Sequence, residues 1–328
     1  MKLILQKIFN ELPLSYNESY ETMLKMGKGE ISEIEMTAFI SAFNMKEISV
    51  IELKGFRAAL LDLSKRVSFS ASDSIVMCGT GGDQKNTFNI STLSSFVVAG
   101  AGYRVVKHGN YGVSSLCGSS NVLEYLGYQF SSESSFLERQ LDSTGICFLH
   151  APLFHPAMRH VAPIRKVLGI KTFFNLLGPL VNPAQPSHQL VGVFNLKVAR
   201  KFKYLLEESK RQFLVLHNTD GYDEATLTAP LKLFGNRMDT EMFPEDLDGS
   251  QVHPKDLYGG SSIKEAASLF TTILSGNGTK SQTDVIAANA GLAIHCMNST
   301  LSLSDCIMKA RKSIESKAAI TTLQNALS

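Results

Sequence analysis

Short apolar runs alternate with helical stretches from about residue 70 onward, and this alternation constrains the fold more than any other feature. The candidate strands are 74–78, 104–106, 146–149, 190–194, 213–217 and 225–228. Helical stretches between them end at Gly127, Gly145 and Gly169, where glycine suits a helix C-terminus. The pattern predicts an α/β fold with a mainly parallel sheet flanked by helices. Ligands of such sheets bind at the carboxyl ends of the strands.

The first 65 residues predict a small all-helical domain instead. Capping boxes of the form Ser-x-x-Glu begin at Ser15, Ser32 and Ser49, each before an apolar-periodic run. A helical stretch at 155–169 and an apolar run at 171–183 break the later alternation and could pack on the N-terminal helices. The expected organisation is a discontinuous helical domain, 1–65 with about 160–187, and a large α/β domain, 70–159 with 188–328.

Composition excludes several classes of protein. The chain has 328 residues, 44% of them hydrophobic, and a formal charge of +2, so a dense basic surface for nucleic acid is not expected. Its five cysteines form no C-x-x-C pair, which is typical of reduced cysteines in a cytoplasmic protein. The N-terminus does not resemble a signal peptide, and no apolar run is long enough to span a membrane. We therefore expect a cytoplasmic protein without membrane or nucleic-acid partners.

A glycine cluster, Gly79-Thr-Gly-Gly-Asp83, directly follows the first strand, and Thr87-Phe-Asn-Ile-Ser-Thr92 then opens a helix. A backbone with little side-chain bulk can fold its N–H groups around an oxyanion, and a helix N-terminus adds further donors. The residues that a Walker A loop or a dinucleotide fingerprint would need are absent. The segment therefore predicts a phosphate site, with a glycine-rich turn that binds no ligand as the alternative.

A second glycine-rich segment, 107–115, also follows a strand. Lys107 could neutralise a phosphate, and the hydroxyl groups of Ser114, Ser115 and Ser119 could donate hydrogen bonds to it. Taken alone, a solvated loop explains this composition equally well. Its place after a neighbouring strand favours a binding site.

An acidic pair, Asp223 and Glu224, follows the strand at 213–217. Adjacent carboxylates repel each other, and hard oxygen ligands opposite a phosphate cradle suit Mg²⁺ bound to a diphosphate. The hydroxyl of Ser91 could be a further ligand. A solvated turn is the alternative for the pair. Arg165 could bind a carboxylate with both nitrogens of its fork, or could merely cap a helix or form a surface ion pair.

Together these segments resemble the anthranilate phosphoribosyltransferase family, in order and over essentially the whole chain. The matching stretches are GTGGD (79–83), TFNIST (87–92), KHGN (107–110) with VSS (113–115), GSSNVLEYLG (118–127), HPAMRHVAPIRKVLGIKTFFNLLGPLVNPA (155–184) and DGYDE (220–224). The resemblance implies a small helical domain, a larger α/β domain and a homodimer formed through the helical domain. One departure is Tyr111-Gly112, where the family often has Arg-Ser, so one cation is missing here.

The resemblance also implies an activity and a set of site residues. The activity is transfer of the phosphoribosyl group of phosphoribosyl diphosphate to the amine of anthranilate, a step of tryptophan biosynthesis, with two Mg²⁺ ions. The residues implied for phosphoribosyl diphosphate are Gly79, Gly82, Asp83, Thr87, Asn89, Ile90, Ser91, Thr92, Lys107, His108, Gly109, Asn110, Ser114, Ser115 and Ser119. Those implied for anthranilate are Gly79, His108, Asn110, Arg165, Gly178 and Pro179, and those for the metal are Ser91, Asp223 and Glu224. Electrostatic and positioning roles fall to Lys107, Asn110 and Arg165, and the sequence shows no evident general base.

Two other functions are compatible with the same scaffold. A pyrimidine nucleoside phosphorylase would use free phosphate and would not need the acidic metal pair. A non-enzymatic relative that binds nucleic acid would have lost those acids and would carry a basic groove. The presence of Asp223 and Glu224 and the modest net charge favour the transferase.

Overall fold

The computed structural model describes residues 1–112, 117–236 and 238–328. The chain divides into two compact units: Met1–Val67 with Ala151–Pro183, and Ser68–His150 with Ala184–Ser328. The helices are α1 (Lys2–Phe9), α2 (Tyr16–Lys28), α3 (Glu33–Met45), α4 (Val50–Asp62), α5 (Ile90–Gly100), α6 (Ser119–Tyr125), α7 (Ser134–Thr144), α8 (Ala151–Phe154), α9 (Ala162–Leu168), α10 (Phe174–Leu177), α11 (Leu196–Glu207), α12 (Ile263–Leu274), α13 (Lys280–Met297), α14 (Leu303–Glu315) and α15 (Ala318–Leu327). The strands are β1 (Ser74–Gly79), β2 (Arg104–Gly109), β3 (Ile146–His150), β4 (His188–Gly192), β5 (Gln212–Asn218), β6 (Leu231–Gly235) and β7 (Asp239–Met242). No described helix combines the length and the apolar character needed to cross a membrane.

The predicted capping boxes begin three helices of the helical unit. At α2, α3 and α4, the serine side chain accepts a hydrogen bond from the backbone N–H of the glutamate three residues later. The glutamate carboxylate in turn accepts from the serine N–H, so two donors of each helix end are satisfied. These helix starts are confirmed as the local sequence predicts them.

An aromatic cluster joins the two segments of the helical unit. Phe39, Phe43 and Phe56, from α3 and α4, surround Phe173 of the second segment. The ring centroids lie 6.0, 5.1 and 5.0 Å from that of Phe173, which are distances of favourable ring contacts. This burial explains why the apolar run at 171–183 has no strand partner.

The stretch 155–169, predicted as one helix, is interrupted. It forms a 3₁₀ turn, Pro156–His160, followed by α9, which ends at Gly169 in the left-handed conformation. Pro163 lies in the first turn of α9. Proline is tolerated there but lacks the N–H that a continuous helix would use, so the chain starts a new helix instead.

The described strands of the α/β unit form one sheet in the order β3-β2-β1-β4-β5-β6-β7. Strands β1 to β5 are parallel, and β6 and β7 are antiparallel additions at one side. The predicted α/β class with a mainly parallel sheet is thus confirmed. The hairpin of β6 and β7 was not predicted, although buried and half-buried residues alternate along β6 with the period of a strand. The strand predicted at 225–228 is wrong, because these residues form an irregular loop.

The order of the strands reverses between β1 and β4. The chain runs outward from β1 through β2 to β3, and then returns to the other side of β1 as β4. This reversal is the switch point at which open α/β sheets bind ligands. Gly79 pairs with Gly192 at the carboxyl ends of the two strands. Strand β4 ends two residues earlier than the predicted 190–194, because its register with β1 places Gly192 beside Gly79.

Helix α13 lies within the core of the α/β unit and contacts α5, α14 and strands β1, β4 and β5. All its residues from 284 to 294 are buried. A helix that is apolar on every face is typical of one enclosed by other elements. Its side chains are therefore held in fixed positions relative to the sheet.

Candidate active site

The glycine turn after β1 has a backbone conformation that favours glycine. Gly81 and Gly82 have φ angles of 66° and 75°, a region that side chains rarely allow. The turn leads to α5, whose N-cap residue Asn89 does not cap the helix with its side chain. The Asn89 amide instead donates to the carbonyl of Cys117 at 3.0 Å. The first-turn N–H groups of α5 therefore face the turn without a capping side chain, as an anion site requires.

A distant segment fixes the residues before α5. Thr87 forms a backbone bridge with Tyr258, and the N–H of Phe88 donates to the carbonyl of Leu257 at 2.9 Å. The N–H of Gly259 donates to a backbone carbonyl in the same loop, and a side chain at Gly259 would lie 2.4 Å from the Thr87 carbonyl oxygen. The sequence did not indicate this support, because residues 257–260 carry no charged side chain and match no binding motif.

The end of β2 packs against the start of α6. A Cβ atom at Gly109 would lie 2.4 Å from the Ser119 hydroxyl oxygen, so only glycine fits without a shift. Ser119 donates to the carbonyl of Asn110 at 3.3 Å, and the Asn110 side chain is exposed. His108 is buried on β2. Ser114 and Ser115 lie outside the described residues.

Tyr111 occupies the position where the resembling family often has arginine. Its hydroxyl donates to Glu124 at 3.1 Å, and its ring meets the edge of His150 with centroids 4.8 Å apart. The side chain thus ties the β2 end to α6 and β3. It brings an apolar ring to the place where a cation was expected.

The loop that follows β5 and carries Asp223 and Glu224, called the acidic loop below, crosses the switch point of the sheet. The N–H of Gly81 donates to the Asp223 carboxylate at 2.6 Å. A Cβ atom at Gly79 would lie 2.3 Å from that carboxylate, and one at Gly192 would lie 1.6 Å from the Asp223 carbonyl oxygen. The acidic loop can therefore lie this close to the two strands only because each strand ends in a glycine. Gly192 was missed, since nothing in its local sequence marks it.

Burial and neighbouring carboxylates raise the pKa values of both acids. Burial has the largest effect on the pKa of Asp223, followed by the nearby charge of Asp83. For the pKa of Glu224, burial is followed by the charge of Asp223, while a hydrogen bond with the Ser91 hydroxyl acts in the opposite direction. Both carboxyl groups are therefore protonated more readily than free acids, unless a cation binds beside them.

Lys107 lies close to Glu224 and is only 2% exposed. Its ammonium group donates to the carbonyl of Met77 at 2.8 Å and to the hydroxyl of Ser91 at 3.4 Å. Burial lowers its pKa, and the negative charge of Glu224 acts in the opposite direction. Lys107 is thus an internal cation that contacts the hydroxyl beside the acidic pair, rather than a surface charge.

The donor set suits Mg²⁺. Among the described side chains, no group of three or more histidine, cysteine, aspartate and glutamate residues could hold a metal by itself. Mg²⁺ usually needs only one or two carboxylates together with substrate phosphates and water. Asp223, Glu224 and Ser91 offer oxygen atoms only, and a divalent cation would relieve the repulsion that raises the two pKa values. The residues fit this ion.

Arg165 belongs to the helical unit. Its guanidinium lies over the ring of Phe174 at 5.5 Å and donates to the Asn175 side-chain oxygen at 3.3 Å. The same oxygen accepts the N–H of Thr172 at 3.2 Å. The Nε of Arg165 is buried and has no hydrogen-bond partner among the described residues, and burial lowers the pKa of the group. Sequence reasoning missed Asn175, which orients this guanidinium.

Gly178 and Pro179 lie in a 3₁₀ turn of the same unit, Gly178–Leu180. Arg57 of α4 holds this turn, because its Nε donates to the carbonyl of Leu180 at 3.0 Å. The structure therefore brings the predicted site residues together in two places. The phosphate and metal residues meet at the carboxyl edge of the sheet, whereas Arg165, Gly178 and Pro179 belong to the helical unit.

Two family models match the chain. Residues 2–64 match the helical bundle domain of the glycosyl transferase family, and residues 72–320 match the a/b domain of that family. The anthranilate phosphoribosyltransferase of Flavobacterium psychrophilum is 51% identical over 91% of this chain and 90% of its own length. That of Cytophaga hutchinsonii is 46% identical over the whole of both chains.

Solved structures match the fold. The anthranilate phosphoribosyltransferase of Thermus thermophilus has a TM-score of 0.91 and 31% identity, with 98% of each chain covered. The Saccharomyces cerevisiae enzyme, solved in complex with PRPP and Mg, has a TM-score of 0.90 and 24% identity, and covers 98% of this chain and 95% of its own. At that identity the yeast structure supports the fold alone.

Proposed function

The chain belongs to the anthranilate phosphoribosyltransferase family, and from this membership we propose that it transfers the 5-phosphoribosyl group of phosphoribosyl diphosphate to the amine of anthranilate. The products are N-(5-phosphoribosyl)anthranilate and diphosphate. The observation that carries the proposal is the acidic pair at the switch point, where Asp223 is buried and bonded to the glycine turn and half-buried Glu224 interacts with Ser91 in the first turn of α5. Such a site suits a diphosphate with its metal ion.

The reaction places its main demand on the leaving group. As the bond from the ribose carbon to the diphosphate breaks, negative charge accumulates on the diphosphate. Fixed backbone N–H groups stabilise such charge because they need no reorganisation. The turn at Gly79, Gly82 and Asp83 and the first turn of α5, with Asn89 and Thr92, would supply them. The remaining proposed contacts of phosphoribosyl diphosphate are Thr87, Ile90, Ser91, Lys107, His108, Gly109, Asn110, Ser114, Ser115 and Ser119.

Magnesium completes the proposed site. Asp223 and Glu224, with the hydroxyl of Ser91, would hold it, and we propose two ions. When bound, magnesium supplies Lewis-acid stabilisation of the leaving diphosphate. Lys107 would keep the Ser91 hydroxyl in place through the contact at 3.4 Å.

Arg165 would bind the carboxylate of anthranilate. Its guanidinium is half-buried, is oriented by Asn175 and has no hydrogen bond at Nε. A carboxylate would satisfy that fork with charge-assisted hydrogen bonds. Asn110 would hold the amine near the ribose. The further residues proposed to contact anthranilate are Gly79 and His108 of the α/β unit and Gly178 and Pro179 of the helical unit. The aromatic amine has a free lone pair at neutral pH, so the site needs no general base before attack.

The two alternative functions have less support. A phosphorylase would leave the acidic pair without a purpose, and a nucleic-acid-binding relative would not be expected to keep it. Relatives 43% to 51% identical to this chain bear the name of the transferase. Substrate tests can distinguish the reactions directly.

We further propose a cytoplasmic homodimer formed through the helical unit. Helices α1 and α3 pack on each other and expose Leu3, Phe9, Ile34 and Met45, of which Met45 is 93% exposed. Large apolar side chains grouped on a surface often mark an interface. Sedimentation should show a dimer that Ile34→Asp weakens, and a wild-type monomer at micromolar concentration would refute the proposal.

The activity itself can be tested with purified protein. Anthranilate fluorescence should fall when phosphoribosyl diphosphate and Mg²⁺ are both present, and should stay constant when either is omitted. In a parallel reaction, a pyrimidine nucleoside with inorganic phosphate should give no free base. Release of base there, with no loss of anthranilate, would replace the transferase with the phosphorylase.

A further inference from the structure

The residue that follows the acidic pair is held by a side chain from a distant helix. The N–H of Ala225 donates to the Asn289 side-chain oxygen at 3.1 Å, and the Asn289 amide nitrogen donates back to the Ala225 carbonyl at 2.9 Å. The same nitrogen donates to the Val285 carbonyl at 2.8 Å, one turn earlier in α13. One side chain thus satisfies both backbone groups of Ala225, as a neighbouring strand would.

This contact is fully buried. Asn289 is 1% exposed and lies in the middle of α13, among apolar side chains. An amide in such surroundings costs free energy unless its hydrogen bonds are made. Ala225 is also buried and has no strand partner for its backbone. The two groups therefore need each other, and the pairing fixes the loop at this residue.

The position of the acidic loop is also restricted on its other side, by the ends of β1 and β4. Gly79 and Gly192 leave no room for a side chain where Asp223 crosses the strand ends. Asp223 thus contacts the sheet, while Ala225, two residues later, is anchored to α13. Between these two contacts the directions of both carboxylates are set before any ligand binds.

We propose that Asn289 is a positioning residue for the acidic pair, and that its amide sets the place of Asp223 and Glu224 by holding Ala225. The proposal rests on the proposed function, in which these two residues hold magnesium. Residues that orient metal ligands through hydrogen bonds commonly change metal affinity about 10- to 100-fold when removed. Asn289 touches neither substrate nor metal in this role.

The chain offers a matched control at the other end of β5. The Asn236 side-chain oxygen accepts the N–H of Phe213 at 2.9 Å, and its nitrogen donates to the carbonyl of Arg211 at 3.0 Å. It therefore makes the same kind of double contact with backbone, but at the amino end of the strand, away from the acidic loop. Asn236→Ala removes two backbone hydrogen bonds without touching the proposed site.

The experiment compares the wild type, Asn289→Ala and Asn236→Ala. Calorimetric titration of Mg²⁺ in the presence of phosphoribosyl diphosphate should show affinity weakened about 10-fold or more in Asn289→Ala only. Hydrogen exchange of the unliganded protein should show faster exchange at residues 223–226 in the same variant. The KM for anthranilate should stay unchanged, while Asn236→Ala should change the melting temperature alone.

A second variant, Asn289→Ser, keeps the test decisive if Asn289→Ala does not fold. Asn289→Ser can still donate to the carbonyl four residues earlier but is too short to reach Ala225, so it should reproduce the magnesium effect with less destabilisation. Wild-type magnesium affinity and exchange at 223–226 in Asn289→Ala, or in Asn289→Ser if the alanine variant does not fold, would overturn the proposal. A wild-type protein that is inactive with both substrates and Mg²⁺ present would instead overturn the proposed function.

Discussion

At the scale of single residues, the site combines groups whose charges are unfavourable without a ligand. Burial and neighbouring negative charge raise the pKa values of Asp223 and Glu224, and burial lowers the pKa of Lys107. Buried groups perturbed in this way are common at functional sites because the fold holds them where a ligand will relieve the strain. We therefore expect mutations of the acidic residues to lower activity without lowering the stability of the unliganded protein.

The double variant Asp223→Asn with Glu224→Gln tests that separation. Removal of the two negative charges should lower turnover by about 100-fold or more, by loss of preorganised electrostatic stabilisation. The unliganded variant should unfold at a temperature equal to or above that of the wild type, because the repulsion is gone. Steady-state kinetics and thermal unfolding measure both effects, and wild-type turnover with Mg²⁺ would refute the metal assignment.

Arg165→Ala tests the other proposed substrate contact. The variant should raise the KM for anthranilate by about 10- to 100-fold, since a hydrogen bond to a charged group contributes about 1.5–3 kcal/mol. The KM for phosphoribosyl diphosphate should change little. Arg159→Ala is the control, because Arg159 lies in the same unit and its Nε is engaged by His160. Equal anthranilate KM values in wild type and Arg165→Ala would remove Arg165 from the site.

At the scale of elements, one local motif has different energetic weight in different surroundings. The capping glutamate of α3, Glu35, is half-buried and its capping hydrogen bonds are exposed, whereas that of α4, Glu52, is fully buried. Glu52 also accepts the N–H of Leu14 at 2.9 Å and pairs with Lys46 at 2.5 Å. Burial alone would raise the pKa of Glu52, but these hydrogen bonds together hold it below its usual value.

Glu52→Gln should therefore destabilise the protein by about 3 kcal/mol at pH 7, because it leaves the charge of Lys46 buried without its partner. Glu35→Gln, in an exposed capping box, should have a much smaller effect. The pKa of Glu52 is lowered on folding, so its contribution is present above the unfolded pKa of about 4.3 and is lost as pH falls through the folded value. Chemical unfolding from about pH 2.5 to pH 8 should show the wild-type advantage over Glu52→Gln stay constant above about pH 5 and shrink below it, and a difference that persists at the acid end would contradict this assignment.

At the scale of the whole molecule, the topology of the sheet decides where ligands can act. The glycine turn after β1, the end of β4 and the loop after β5 meet at one edge, although they are far apart in sequence. A ligand bound there would contact all three segments at once. Binding should thus stabilise the unit as a whole and protect only that edge locally.

Phosphoribosyl diphosphate with Mg²⁺ should raise the free energy of unfolding of the protein by about 2.7 kcal/mol at 100 times the dissociation constant. Hydrogen exchange should slow at residues 79–92 and 220–226. Under conditions where exchange proceeds by local opening, exchange near Phe213 and Asn236, at the amino end of β5, should stay unchanged. Equal protection at both ends of that strand would argue against a site at the switch point.

Local patterns in the sequence were sufficient for much of the fold. The capping boxes, the glycines at helix ends and most of the parallel strands were predictable because each depends on residues close together in the chain. The loop at 225–228 was mistaken for a strand. The side chain of Asn289 rather than a neighbouring strand satisfies the backbone of Ala225, and Leu227 has a φ angle of 59°. The helix break at Pro163 was missed because proline in a first turn is compatible with either one helix or two.

The sequence by itself determined the chemistry available to this protein: glycines that free backbone amides, an acidic pair, a lysine after a strand and an arginine suited to a carboxylate. Only the tertiary structure decided that Gly192 lies under Asp223, that Lys107 is buried beside Ser91, and that Asn175 and Asn289 orient their neighbours. The longest of these relations joins residues 64 positions apart in the chain. No local pattern encodes such contacts, because sheet order and helix packing bring the residues together.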